Sequence, residues 1–152
     1  MAPEDIAFLD REQRAPDIVA ASDIAAVRPR LKPIAFTDKP YLGFARSFDV
    51  FHDGSIVLVP LPGHTPGSVG VFFKLGARPV FAIGDATWIM EAVERGLPRP
   101  PSLRAFADDD PDAADRQVKR LAAFHASHPE IAILPAHDRE SWVGVFGKPG
   151  CD

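Results

Sequence analysis

His64, Asp85 and His137 are the residues of this 152-residue chain whose types and surroundings could do chemistry together. Each lies just past the end of an apolar run, at 55–60, 79–83 and 131–134 respectively. If those runs are strands of one sheet, the three side chains emerge at one edge of it, where loops project and converge on a ligand. Two neutral imidazoles and one carboxylate are a donor set for zinc, iron or manganese. Each residue also has an ordinary explanation. A histidine in a Gly-Pro turn is more often hydrogen-bonded than metallated, and Asp85, following Gly84, could cap a helix that begins near Trp88.

The elements that must hold these residues can be read from periodicity and turn chemistry. His64 sits in Leu61-Pro62-Gly63-His64-Thr65-Pro66-Gly67-Ser68, where prolines and glycines fix the connection and present the imidazole at little ordering cost. The runs on either side of it read as short buried strands. Asp53-Gly54 is a turn signal that pairs 48–51 with 55–61 in a hairpin, and 69–75 and 79–83 follow as strands around Gly76-Ala77-Arg78. After Asp85 the pattern turns helical over 88–95, with Gly96 placed to end it. Proline-rich 97–109 reads as a loop. Asp110-Pro111 then reads as an N-cap and first helical residue, and Ala114, Val118, Leu121, Ala122 and His125 recur at helical spacing. Residues 1–30 read as a mostly helical lead-in, with Pro3 in a first turn, apolar Ile6, Phe8 and Leu9, and an alanine-rich stretch over 18–27. Residues 141–152 read as a C-terminal tail. Strands alternating with helices give an α/β layer arrangement in a single domain.

Composition narrows the function classes. With 46% hydrophobic and 25% charged residues the chain has the make-up of a globular domain. Seventeen basic against 21 acidic residues, a net charge of −4 and no long basic run give nucleic acid no footprint. The single cysteine, Cys151, has no internal disulfide partner, and there is neither a secretory signal nor a run of membrane-spanning length. A cytoplasmic protein acting on a small molecule is the expectation.

Pro62-Gly63-His64-Thr65-Pro66-Gly67-Ser68 strongly resembles the third histidine motif of the metallo-β-lactamase fold family. Ile83-Gly84-Asp85-Ala86 resembles its metal-bridging aspartate, and Leu134-Pro135-Ala136-His137-Asp138 its last histidine ligand, in the family's order. The family's opening His-x-His-x-Asp-His segment occurs nowhere in the chain, and His52, His125 and His128 do not have that spacing. The resemblance therefore implies the C-terminal half of an αββα sandwich: one mixed sheet with helices on its outer face, truncated just beyond where the missing motif should lie. It implies that His64 and His137 bind different zinc ions bridged by Asp85. It also implies hydrolysis of an ester or lactone by a metal-bound hydroxide, with Gly84-Asp85-Ala86 and Ala136-His137-Asp138 closest to the lactonase-like branch. Half of the ligands are missing, so the chain alone is expected to hold metal weakly and to be incomplete as an enzyme. The alternative is a metal-free binding or interaction module that retains the fold. An uncovered sheet face is expected to drive self-association or pairing with an N-terminal half-domain.

The other candidates have lesser roles in this reading. Trp88 lines either a substrate pocket or the core, and Asp138 beside His137 is a candidate second-sphere partner that orients the ring. His52 is expected in solvent, and His125 and His128 at a helix end. Asp108-Asp109-Asp110 reads as a solvated helix N-terminus.

Overall fold

The frame of the molecule is a mixed five-stranded sheet in the order β1-β2-β3-β4-β5. The computed structural model describes residues 2–11, 26 and 28–148. The strands are β1 (Phe48–Asp49), β2 (Ile56–Pro60), β3 (Val69–Leu75), β4 (Arg78–Gly84) and β5 (Ala132–Pro135). β1 to β4 are antiparallel neighbours, and β5 joins β4 in parallel. The expected Asp53-Gly54 hairpin is present: Asp49 accepts the Gly54 N–H at 2.9 Å and Asp53 the Ser55 N–H at 2.8 Å. A parallel partner cannot be reached through a tight turn, so the chain crosses from β4 to β5 through α2 (Met90–Arg95), α3 (Pro101–Ala107) and α4 (Pro111–Ser127). The N-terminal α1 (Pro3–Arg11) and the C-terminal α5 (Arg139–Phe146) complete the described helices, with one 3-10 turn at Arg28–Arg30.

Strand alternation sends Val57, Val59, Phe72, Phe81, Ile83 and Ile133 to one face, where they meet Leu121 and Phe124 of α4 and Val93 of α2. Phe72 and Phe81 stack at 3.8 Å, and Phe44 and Phe124 close on them edge-on. Asp110 caps α4 by accepting the Ala113 N–H at 2.9 Å, and Gly96 ends α2 in the left-handed conformation. The opposite face is covered unevenly. Val80 and Leu134 are fully buried at the β4–β5 end, where α5 packs on β5. Ile56, Leu58, Val69, Val71 and Phe73 of β2 and β3 are only half-buried.

Two segments differ from the sequence reading. The 97–109 segment contains α3, because Pro101 occupies the first turn of a helix, where a missing N–H costs nothing. The 141–152 tail contains most of α5, which Asp138 caps and in which Trp142 and Phe146 stack one turn apart at 5.6 Å. Apart from Ala26, the alanine-rich stretch over 18–27 falls outside the described residues. Among the described residues no helix is long and apolar enough to cross a membrane.

Candidate functional site

Strand direction places the three candidate residues together. β2 and β4 both run antiparallel to β3, and β5 runs parallel to β4, so all three end at the same edge of the sheet. His64, Asp85 and His137 lie in the turns that leave those ends.

The turn carrying His64 is clamped from several sides. Gly63 has φ +147°, and its Cα lies so close to α4 that a Cβ there would be 2.6 Å from the Ala114 backbone. The carbonyls of Gly63 and His64 accept the N–H groups of Asp110 and Asp109 at 3.0 and 3.1 Å, and Asp5 of α1 accepts the Gly67 N–H at 2.8 Å. Within the turn, Ser68 Oγ accepts the Thr65 N–H at 3.0 Å. The other two turns are tied to each other. Gly84 adopts φ +54°, which swings Asp85 out of the strand direction, and its carbonyl accepts the Ala136 N–H at 3.0 Å. Asp85 and His137 are thereby presented side by side.

The side chains converge on the Asp85 carboxylate. His137 Nε2 is 2.9 Å from Asp85 Oδ1, and His64 Nε2 is 4.0 Å from Oδ2. Oδ1 is buried and makes no hydrogen bond despite its close neighbour, because the ring nitrogen is near without being aligned to donate. One carboxylate with a histidine on each oxygen has the donor types of a bridged pair of metal positions. Its donor number is short: among the described residues no three metal-ligating side chains are gathered around one point. His64 with Asp85, and His137 with Asp85, give two protein donors per position, below the three or four that zinc takes. Asp85 does not cap α2, whose N-cap residue is Ile89 without a side-chain hydrogen bond.

Trp88 stands at this site, edge-on to the His137 ring at 6.2 Å and under the Arg99 guanidinium at 4.7 Å. Asp138 has other partners than the expected ring: its oxygens accept the N–H groups of Met90 at 2.6 Å and Ser141 at 3.0 Å. It anchors the turn that carries His137 to the start of α2 and caps α5. Burial acts to raise its carboxyl pKa, but hydrogen bonds from Met90, Ser141 and Glu140 outweigh that and hold it below the ordinary value. A depressed folded-state pKa means that the stabilisation is complete above the unfolded value of about 4 and is lost as pH falls through the folded one. Asp138→Ala is therefore expected to cost about 1 kcal/mol at neutral pH, the usual worth of a cap, with the gap to the parent narrowing in acid denaturation below pH ~4. A gap independent of pH would contradict this account.

Two residues of the site were not legible in the sequence. Asp108, read as part of a solvated run, is buried, and so is Arg99; they pair at 2.6 Å, and Asp108 Oδ1 lies 3.7 Å from His64 Nδ1. Only Asp110 of the triplet acts as the expected helix cap. His52 is exposed, as expected, and His128 stacks on Phe124 at the end of α4.

Comparison with known proteins finds metallo-hydrolases and lactonases among the proteins similar to this chain. A probable metallo-hydrolase of Mycobacterium tuberculosis is 31% identical over 116 residues, which is 72% of this chain and 37% of that protein. A solved N-acyl homoserine lactone hydrolase, with the product N-hexanoyl-L-homoserine at its catalytic metal centre, is 28% identical with a TM-score of 0.51 over 67% of this chain and 38% of its own. A dizinc quorum-quenching lactonase, 14% identical, superposes with a TM-score of 0.60 over 91% of this chain and 47% of its own, a likeness of fold. No protein-family model matches. The chain spans well under half the length of the curated relatives it matches, at 37%.

Proposed function

The chain belongs with the metallo-β-lactamase fold hydrolases, resembling the C-terminal part of their length, and from that premise we propose that it carries half of a metal-dependent active site for an ester or lactone. The observation behind this reading is the Asp85 carboxylate set between two histidines, with His137 at 2.9 Å and His64 at 4.0 Å. Zinc, or iron or manganese, is the cofactor that suits the set: His64 and Asp85 would hold one position and Asp85 and His137 the other. When bound, the metal supplies Lewis acidity, polarising the substrate carbonyl and making water a competent nucleophile near neutral pH. The protein's share is placement. Asp85 would share one oxygen with each position, the clamped Gly63–Thr65 turn holds His64, and Trp88 stands edge-on to the exposed His137 ring.

Two donors per position leave room for donors from elsewhere. The half-buried stripe of Ile56, Leu58, Val69, Val71 and Phe73 is the surface on which a second copy or an N-terminal half-domain would dock. Burial of such a stripe contributes about 25 cal/mol per Å², enough for association over a typical interface. A small-molecule substrate in the cytoplasm accords with the net charge of −4 and the single cysteine.

The test uses the purified chain, alone and with zinc added. Metal content by mass spectrometry, hydrolysis of N-hexanoyl homoserine lactone followed by proton release, and sedimentation velocity at micromolar concentration are read together. Zinc bound, though weakly, by a self-associated chain is the expected result, with lactone opening only where the missing ligands are supplied. A stable, metal-free monomer that leaves the lactone intact would overturn this reading in favour of a binding module that keeps the fold without the chemistry. That second reading rests on the lack, among the described residues, of three ligands around one point.

A further inference from the structure

Arg99 and Asp108 form a buried ion pair, with side chains 6% and 1% exposed and Nη1–Oδ1 at 2.6 Å. Desolvating two charges costs about as much as their attraction returns, and apolar residues commonly serve stability as well, so such a pair calls for a task beyond packing. Its neighbours indicate one. The second amino group of Arg99, Nη2, donates to the Asp85 backbone carbonyl, and the guanidinium lies 4.7 Å above the Trp88 ring. Asp108 Oδ1 faces Nδ1 of His64 at 3.7 Å, and that buried nitrogen has no hydrogen-bond partner. One guanidinium thus ties the turn of Asp85 to the carboxylate behind His64.

A neutral imidazole has a single N–H. With the proton on Nε2, the ring would turn a lone pair on Nδ1 towards the Asp108 carboxylate and an N–H towards the metal side. With the proton on Nδ1, the N–H faces the carboxylate and the Nε2 lone pair faces the space beside Asp85. Each ring nitrogen faces a carboxylate, Nε2 the Asp85 Oδ2 at 4.0 Å and Nδ1 the Asp108 Oδ1 at 3.7 Å. It is Nδ1, however, that is buried without a partner, where a lone pair turned to a carboxylate costs most. A sub-ångström turn of the ring brings an Nδ1–H within hydrogen-bond length of Oδ1.

We propose that Asp108, held in place by Arg99, is a positioning residue that fixes His64 as the Nδ1–H tautomer and so presents Nε2 as a donor beside Asp85. Arg99 fixes the other side of the same position through the Asp85 carbonyl. The consequence for metal affinity rests on the function proposed above. The tautomer does not depend on it.

The test is nitrogen-15 NMR of the His64 ring in the full chain at alkaline pH without metal, alongside zinc titration calorimetry. The parent is expected to show a protonated Nδ1 and an unprotonated Nε2. The double variant Arg99→Met/Asp108→Leu removes both charges and leaves no buried ion unpaired. It is expected to shift His64 towards the Nε2–H form that dominates in free histidine and to weaken zinc binding by roughly 10- to 100-fold. If that variant fails to fold, Asp108→Asn, which removes only the charge, is read in the same way and is expected to raise the Nε2–H share. An Nε2–H parent, or a folded variant whose tautomer matches an Nδ1–H parent, overturns the proposal. A parent that binds no zinc yet shows the tautomer shift refutes the metal reading and upholds the positioning role.

Discussion

Asp85→Ala is expected to weaken zinc binding by more than about 100-fold, beyond what loss of a supporting partner usually costs, and by more than either His64→Ala or His137→Ala. The reason is geometric as well as electrostatic. Each histidine faces one Asp85 oxygen, so a histidine substitution removes a donor from one position, whereas Asp85→Ala removes a donor from both. It also removes the single anion of the three-residue set, against which a divalent cation is most stabilised. Calorimetric titration of the three variants against the parent gives the ranking. Retention of parent affinity in Asp85→Ala, or a larger loss in one of the histidine variants, would remove Asp85 from the bridging role. The fold is expected to survive, because among the described residues Asp85 Oδ1 has no hydrogen-bond partner and the side chain does not cap α2.

Phe81→Ala is expected to cost about 3–5 kcal/mol, a large part of the ~5–15 kcal/mol that holds a domain of this kind together. Phe81 is fully buried at the centre of the sheet, stacked on Phe72 and in contact with Phe44 and Phe124. Truncation there removes the transfer energy of the ring and opens a cavity that strands on both sides cannot close. At a urea m-value of about 2 kcal/mol per molar, the midpoint should fall by roughly 2 M. Phe106, in α3, supplies the control: it is 86% exposed, and its replacement by alanine should change stability by less than about 0.5 kcal/mol. Equal losses for the two variants would mean that the aromatic cluster does not carry the core.

Much of this was written locally in the chain. The hairpin at Asp53-Gly54, the strands on either side of the His64 turn, the cap at Asp110-Pro111 and the stop at Gly96 all follow from turn chemistry and periodicity, which act over a few residues and need no tertiary partner. The three strand ends carrying His64, Asp85 and His137 were legible for the same reason. The two helices that went unread, α3 and α5, are short, and each carries a residue, Pro101 or Gly144, that disfavours a helix interior; Pro101 is tolerated because it stands in the first turn.

The environment of the charges is set by packing of distant segments. Asp108, Asp109 and Asp110 are identical in type and adjacent in sequence, yet one is buried against Arg99 and His64, the next is exposed, and the third caps α4. Burial and partner choice depend on where the crossover from β4 to β5 brings Arg99 back beneath the Asp85 turn, a contact between residues fourteen apart that no local pattern encodes. Asp138 shows the same division: its place beside His137 was plain from the sequence, and its attachment to the Met90 N–H, 48 residues away, was set by the packing of α2 against β5. The sequence determined which residues stand at the sheet edge, because strands and turns are short-range. Folding determined which of them are desolvated and what each one faces, because burial is a property of the assembled layers.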